Sequence, residues 1–230
     1  MKFAVKAKAG VAEISIYDDI GESLWSGGLT PKAFAETLAT VRDAQHLRVF
    51  INSYGGSVFD GIAIYNQLRR HGAAVKETVI DGIAASIASV IAMAGDSIAI
   101  APNGWLMVHQ AWGMAVGNAA EMRDVADRLD ALTGTIIDTY VARRRLDRAA
   151  VADAVAAETW LTGDDAVAQG WADRLTEPAK LAACADPRRF RCLPAALAPK
   201  PNDIAARQAA RLAAAHLRAG SARRRVNRPA

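Results

Sequence analysis

An α/β fold built on a mostly parallel sheet is what this chain predicts, and three observations predict it. Short apolar runs recur at residues 47–51, 75–80, 97–101 and 105–109, each of strand length and bounded by turn residues or helix-like segments. Residues 31–41 and 58–70 carry apolar positions at helical spacing. The order strand, loop, helix, strand is the rhythm of right-handed βαβ crossovers, which set successive strands parallel.

The elements follow in chain order. Residues 12–17 alternate apolar and polar side chains and read as a strand, followed by Asp18-Asp19 and a Gly27-Gly28 turn. Thr30 caps the first helix and Pro31 occupies its first position, where a missing N–H costs nothing. Residues 47–51 lead into the loop Asn52-Ser53-Tyr54-Gly55-Gly56-Ser57 and then a helix over 58–70. The strand at 75–80 is expected to turn through Gly82 and continue as an alanine-rich helix ending at Gly95. Strands at 97–101 and 105–109 are joined by Pro102-Asn103-Gly104, and a glycine-bearing segment spans 112–118. Val125, Leu129, Leu132, Ile136 and Tyr140 recur at helical spacing in a long run over 119–145. A helix of that length is either an ordinary core helix or a projecting element that packs on a neighbouring subunit. Residues 147–157 form another helix, and Thr162 caps a short one that Gly170 closes.

Composition bounds the rest. With 230 residues and 52% hydrophobic residues, the chain can bury one sizeable α/β core. Residues 1–185 are read as that domain and 186–230 as a tail, interrupted by Pro187, Pro194, Pro199 and Pro201 and poor in large apolar side chains. The tail is expected to be flexible or conditionally helical. It holds eleven Lys/Arg against two acids, a net of +9, so that within the total of +4 residues 1–185 stand at −5. The basicity therefore belongs to the tail, as a solvated extension or as a contact for an acidic partner or nucleic acid. The mostly apolar stretch at 87–94 is far too short to span a bilayer, and residues 1–6 lack a signal-peptide pattern, so a cytoplasmic protein without membrane contact is expected. Cys184 and Cys192 have no histidine partners nearby in sequence; no metal site and no cofactor is expected.

The chemistry gathers around Ser86. It stands at a strand-to-helix transition between small neighbours, Ala84, Ala85 and Ala88, which let another backbone approach. One reading makes its hydroxyl an N-cap; the other makes it a nucleophile beside N–H groups suited to an oxyanion. His109 ends a strand at the edge of a glycine-bearing segment and is the one histidine in a structured apolar setting, so it is the candidate general base. Gly55-Gly56 follows a strand, and the N–H groups of Gly56 and Ile87 form a candidate oxyanion hole. Glu158, just before Trp160, expected to be buried, is a carboxylate able to orient the second nitrogen of His109.

Four blocks carry a resemblance. Asn52-Ser53-Tyr54-Gly55-Gly56-Ser57-Val58, Gly82-Ile83-Ala84-Ala85-Ser86, Met107-Val108-His109-Gln110 and the run from Trp160 to Gly170 resemble, in order, the signature blocks of ClpP-type serine peptidases. The likeness covers about residues 12–175. It implies a ClpP/crotonase-like spiral of βαβ units with a long projecting helix, and places Ser86 on the family's nucleophile, His109 on its base and Gly56 and Ile87 on its oxyanion donors. Glu158 falls where the family usually has an aspartate, and Tyr54 replaces the usual proline. The amino-terminal segment and the arginine-rich tail are unlike those of members that engage an unfolding ATPase. They resemble the ClpP-related head maturation proteases of phages, which cleave scaffold and capsid protein inside a procapsid. The resemblance thus implies a serine endopeptidase with polypeptide substrates, assembled as a homo-oligomer of ring or stacked-ring form, and without an ATPase partner. A housekeeping proteolytic subunit working with an unfoldase, a crotonase-like acyl-CoA enzyme and an inactive shell protein are the competing readings. Residues 113–118 and the start of the long helix are expected to form the subunit contact and to flank the peptide groove.

Overall fold

The computed structural model describes residues 5–8, 10–22 and 28–176. The expectations for Gly27, for Cys184 and Cys192 and for the basic tail lie outside the described residues. Among the described residues fourteen elements follow one another: β1 (Val5–Lys8), β2 (Val11–Ile16), α1 (Pro31–Ala39), β3 (His46–Ser53), α2 (Val58–Arg70), β4 (Val75–Ala85), α3 (Ile87–Ala92), β5 (Ser97–Ile100), β6 (Trp105–Val108), α4 (Ala119–Arg144), α5 (Arg148–Ala157), β7 (Thr159–Thr162), α6 (Gly163–Ala168) and β8 (Arg174–Leu175).

The strands form one eight-stranded sheet in the order β1-β2-β3-β4-β5-β8, with β6 pairing β4 and β7 pairing β6. The pairs β2·β3, β3·β4, β4·β5, β4·β6 and β5·β8 are parallel. Only β1·β2 and β6·β7 are antiparallel among the described residues. The mixed α/β class with a mostly parallel sheet is the one the βαβ rhythm predicts. Strands β1, β7 and β8 add to those read from the sequence.

Alternation places the core. Ala12, Ile14 and Ile16 of β2 and Leu47, Val49 and Ile51 of β3 are buried, and they pack with Phe34 of α1, Ile64 and Leu68 of α2 and Val90 and Ile91 of α3. The intervening positions Glu13, Arg48 and Glu77 lie side by side across β2, β3 and β4, where Arg48 reaches Glu13 at 3.1 Å and Glu77 at 2.8 Å.

Strand β4 differs from expectation in a way that builds the site. It runs straight through Gly82 to Ala85, because the sheet forks along it: residues 77–80 pair with β5, and residues 83–85 find a new neighbour in β6. At the fork the β3 register shifts between Ile51 and Ser53, and the buried Asn52 side chain accepts the Ile83 N–H at 3.2 Å, satisfying a donor that the ladder releases. The helix after it is correspondingly shorter than the sequence suggests, ending at Ala92.

Helix α4 is long, as expected, and only its second half is buried, through Thr133, Ile136, Ile137 and Tyr140. Its first half, over residues 119–132, contributes no buried side chain. Among the described residues no helix is long and apolar enough to cross a membrane.

Candidate active site

Ser86 occupies the junction of β4 and α3 with φ 56° and ψ −130°, a backbone conformation that non-glycine residues seldom adopt. Its N–H donates to Met107 O at 3.0 Å, which ties the junction to β6. Ser86 holds the N-cap position of α3, yet its side chain makes no capping hydrogen bond. The hydroxyl instead meets His109 Nε2 at 2.7 Å. The two readings of Ser86 are thereby separated: it stands in the cap position, and its oxygen serves the histidine.

His109 is delivered by strand register. The parallel β4·β6 pair aligns Ala85 with Met107, so the residues just beyond the two strands emerge side by side. On its other edge β6 pairs with β7, the last aligned residues being Val108 and Thr159. The ladder ends there, His109 being the residue that follows β6 and Glu158 the residue that precedes β7. Glu158 is 5% exposed, caps the C-terminus of α5 and has a left-handed φ of 56°. The left-handed turn lets the chain leave α5 and enter β7 within one residue. Trp160 is half-buried rather than fully enclosed and packs edge-on to Trp105, ring centroids 6.5 Å apart.

The Gly-Gly loop lies against the same junction. A Cβ on Gly55, at φ +94°, would fall 2.8 Å from both Ala85 O and Ser86 Cβ and 3.2 Å from Ile87 N. A Cβ on Gly56 would meet Ile20 O at 2.1 Å. Both positions therefore exclude a side chain for want of room. The strand-like bridge with Ile20 uses Gly55 O, at 2.9 Å from Ile20 N, and the Ser57 N–H, at 2.9 Å from Ile20 O. In such a bridge the intervening Gly56 N–H points to the opposite side. Ile87 is the first residue of α3, whose N–H has no intrahelical acceptor. Ser86, His109, Gly56 and Ile87 are thus assembled around one backbone turn, and Glu158 adjoins the end of the β6·β7 pair that His109 follows.

Other groups near the turn were not singled out from the sequence. Ser89 donates its hydroxyl to Ser86 O and lies 2.7 Å from Tyr140 Oη. Thr133 Oγ1 accepts the Ala111 N–H at 3.1 Å, anchoring the segment after His109 to α4. Tyr17 Oη donates to the Asp81 carboxylate, and burial together with that carboxylate pushes the phenol well above its usual range. Tyr140 had been legible as one position of a helical apolar face, but the pairing of its hydroxyl with a residue 51 positions away had no local signal. Among the described residues no group of three or more His, Cys, Asp or Glu side chains could hold a metal.

A family model described as Clp protease matches residues 32–179, more than half of the chain. Among curated relatives, the chain is similar to an ATP-dependent Clp protease proteolytic subunit of Deinococcus radiodurans, 29% identical over 136 residues that cover 58% of this chain and 66% of the relative. It is similar to the subunit of that name from Pleurastrum terricola, 35% identical over 137 residues covering 54% and 68%. With the one from Ligilactobacillus salivarius it shares 42% identity over 84 residues, covering 35% and 42%. The matched segments thus span from under half to about two thirds of these relatives.

Proposed function

The chain belongs to the Clp protease family, and from that premise we propose that it is a serine endopeptidase with Ser86 as nucleophile, His109 as general base, Glu158 as the carboxylate that orients it, and the Gly56 and Ile87 N–H groups as oxyanion hole. The observation that carries the reading is the 2.7 Å approach of Ser86 Oγ to His109 Nε2 by a hydroxyl that does not cap its own helix. His109 Nε2 takes the hydroxyl proton as Ser86 Oγ attacks the peptide carbonyl carbon, and the two N–H groups receive the charge on the carbonyl oxygen. The same nitrogen then protonates the departing amine as the C–N bond breaks, leaving an acyl-enzyme. Water, deprotonated by His109, attacks the ester and restores Ser86. No cofactor enters the reaction.

The test is intact-mass spectrometry after treatment with a fluorophosphonate. One adduct on the wild type and none on Ser86→Ala is the expected result; an unlabelled wild type would sink the reading.

As substrate we propose scaffold and capsid protein of a phage, cleaved without an ATPase in the host cytoplasm inside a procapsid, on the strength of the Tyr54 replacement, the amino-terminal segment and the basic tail. A second reading, a proteolytic subunit that works with an unfoldase, is favoured by the names of the relatives, which are called ATP-dependent. Cleavage of unfolded polypeptide with no nucleotide present supports the first; degradation that starts only with ATP and a co-purified unfoldase supports the second. A homo-oligomer is proposed in both, because Trp112, Met114, Val116 and Met122, before and within the first turns of α4, leave apolar surface exposed.

A further inference from the structure

Tyr140 lies on α4 and Ser89 on α3, both buried, with their oxygens 2.7 Å apart. The Ser89 hydroxyl has one proton, which it donates to Ser86 O; the Tyr140 O–H therefore donates to Ser89 Oγ, and the two make a directed chain ending on the Ser86 carbonyl. Ser86 O also accepts the Ser89 N–H at 3.0 Å. The phenol ring is held by an edge-on contact with Trp171, centroids 5.3 Å apart, and burial pushes its ionisation well above the usual range, so the donor stays protonated.

The target of this chain matters because a peptide unit is planar. The Ser86 carbonyl and the Ile87 N–H belong to one plane and point in opposite directions. Fixing the carbonyl fixes the N–H. It also fixes ψ of Ser86, while the bond from the Ser86 N–H to Met107 O constrains the preceding plane. Between them the two planes determine where the strained Ser86 carries its Oγ, and how squarely the Ile87 N–H faces an incoming oxygen.

We propose that Ser89 and Tyr140 are positioning residues for the reaction: their hydroxyl chain orients the peptide plane between Ser86 and Ile87 and so aims the oxyanion donor. The inference rests on the assignment of Ser86 as nucleophile. Neither residue touches the substrate. Their effect falls on the transition state, where charge develops on the oxygen, and not on ground-state binding.

The experiment follows fluorophosphonate labelling of the full chain, with Ser89→Ala, Tyr140→Phe and the double variant, resolving kinact from KI by concentration dependence and repeating it across pH. The proposal expects kinact to fall about tenfold or more in each single variant with KI unchanged. The double variant should be no slower than the slower single, since the two act as one chain. The pH midpoint of labelling should not move. Ser89→Ala carries the test alone if Tyr140→Phe fails to fold. Variants with a lowered Tm but wild-type kinact would overturn the proposal and leave Ser86 as nucleophile intact. A wild type that takes no label overturns the assignment of Ser86, and this inference with it.

Discussion

At the scale of the residue, the site depends on a few backbone conformations that side chains would spoil. Gly55→Ala places a methyl against Ala85 O and Ser86 Cβ at a φ of +94°. The strain is about 1–3 kcal/mol, and relief requires the loop to move away from Ile87. We expect a lowered Tm together with loss of fluorophosphonate labelling; a variant that labels normally would show that the loop is not part of the oxyanion hole. Glu158 is the test of the ladder argument. Glu158→Gln keeps the shape and removes the charge that would stabilise an imidazolium. Peptidase kcat should then fall about a hundredfold or more, measured with Ser86→Ala as the blank. An unchanged kcat would remove Glu158 from the triad.

At the scale of the element, the two ends of α4 serve different purposes, and substitutions should separate them. Asn118 and Glu121 form a reciprocal capping box at its start. Asn118→Ala should cost about 1 kcal/mol of local helix stability. Because residues 119–131 carry no fully buried side chain, hydrogen exchange should accelerate there in the isolated subunit while Tm barely changes. The other end is a brace. Arg143 donates Nε to Met93 O at 2.9 Å and Nη2 to Gly95 O at 2.6 Å, and Thr78 Oγ1 donates to Ala92 O at 2.7 Å. These bonds satisfy carbonyls at the end of α3 that the short helix leaves open. Arg143→Gln should lower global stability by about 2–3 kcal/mol, read by urea denaturation. A short helix of six residues keeps its place because a long one holds it at both ends, Tyr140 and Ser89 at the start and Arg143 at the finish.

At the scale of the whole molecule, acid should loosen the fold through identifiable carboxylates. Burial alone would raise the carboxyls of Asp96 and Asp173; hydrogen bonds from the Lys76 N–H and Arg69 to the first, and from Arg144 and the Ile98 N–H to the second, outweigh it and hold both below the usual 3.8. Each therefore binds fewer protons folded than unfolded. Their contribution is complete above the unfolded value and is lost as pH falls through the lower folded values. Tm should drop between about pH 5 and about pH 3, and Asp173→Asn should flatten that limb; an unaltered limb would assign it to other groups. What the sequence by itself determined is whatever short-range chemistry encodes: the period-two strands, the caps at Thr30 and Thr162, and the four ordered blocks that mark Ser86 and His109. Those signals are local, since capping and periodicity act within a turn or a pleat. Only the tertiary structure decided that β4 passes through Gly82, because the turn expected there is overruled by a second partner strand arriving from residues 105–107. It alone joined Ser89 to Tyr140 and paired β6 with β7, so that His109 and Glu158 flank the same strand end. Such pairings depend on register between distant segments, and no window of the chain contains both partners.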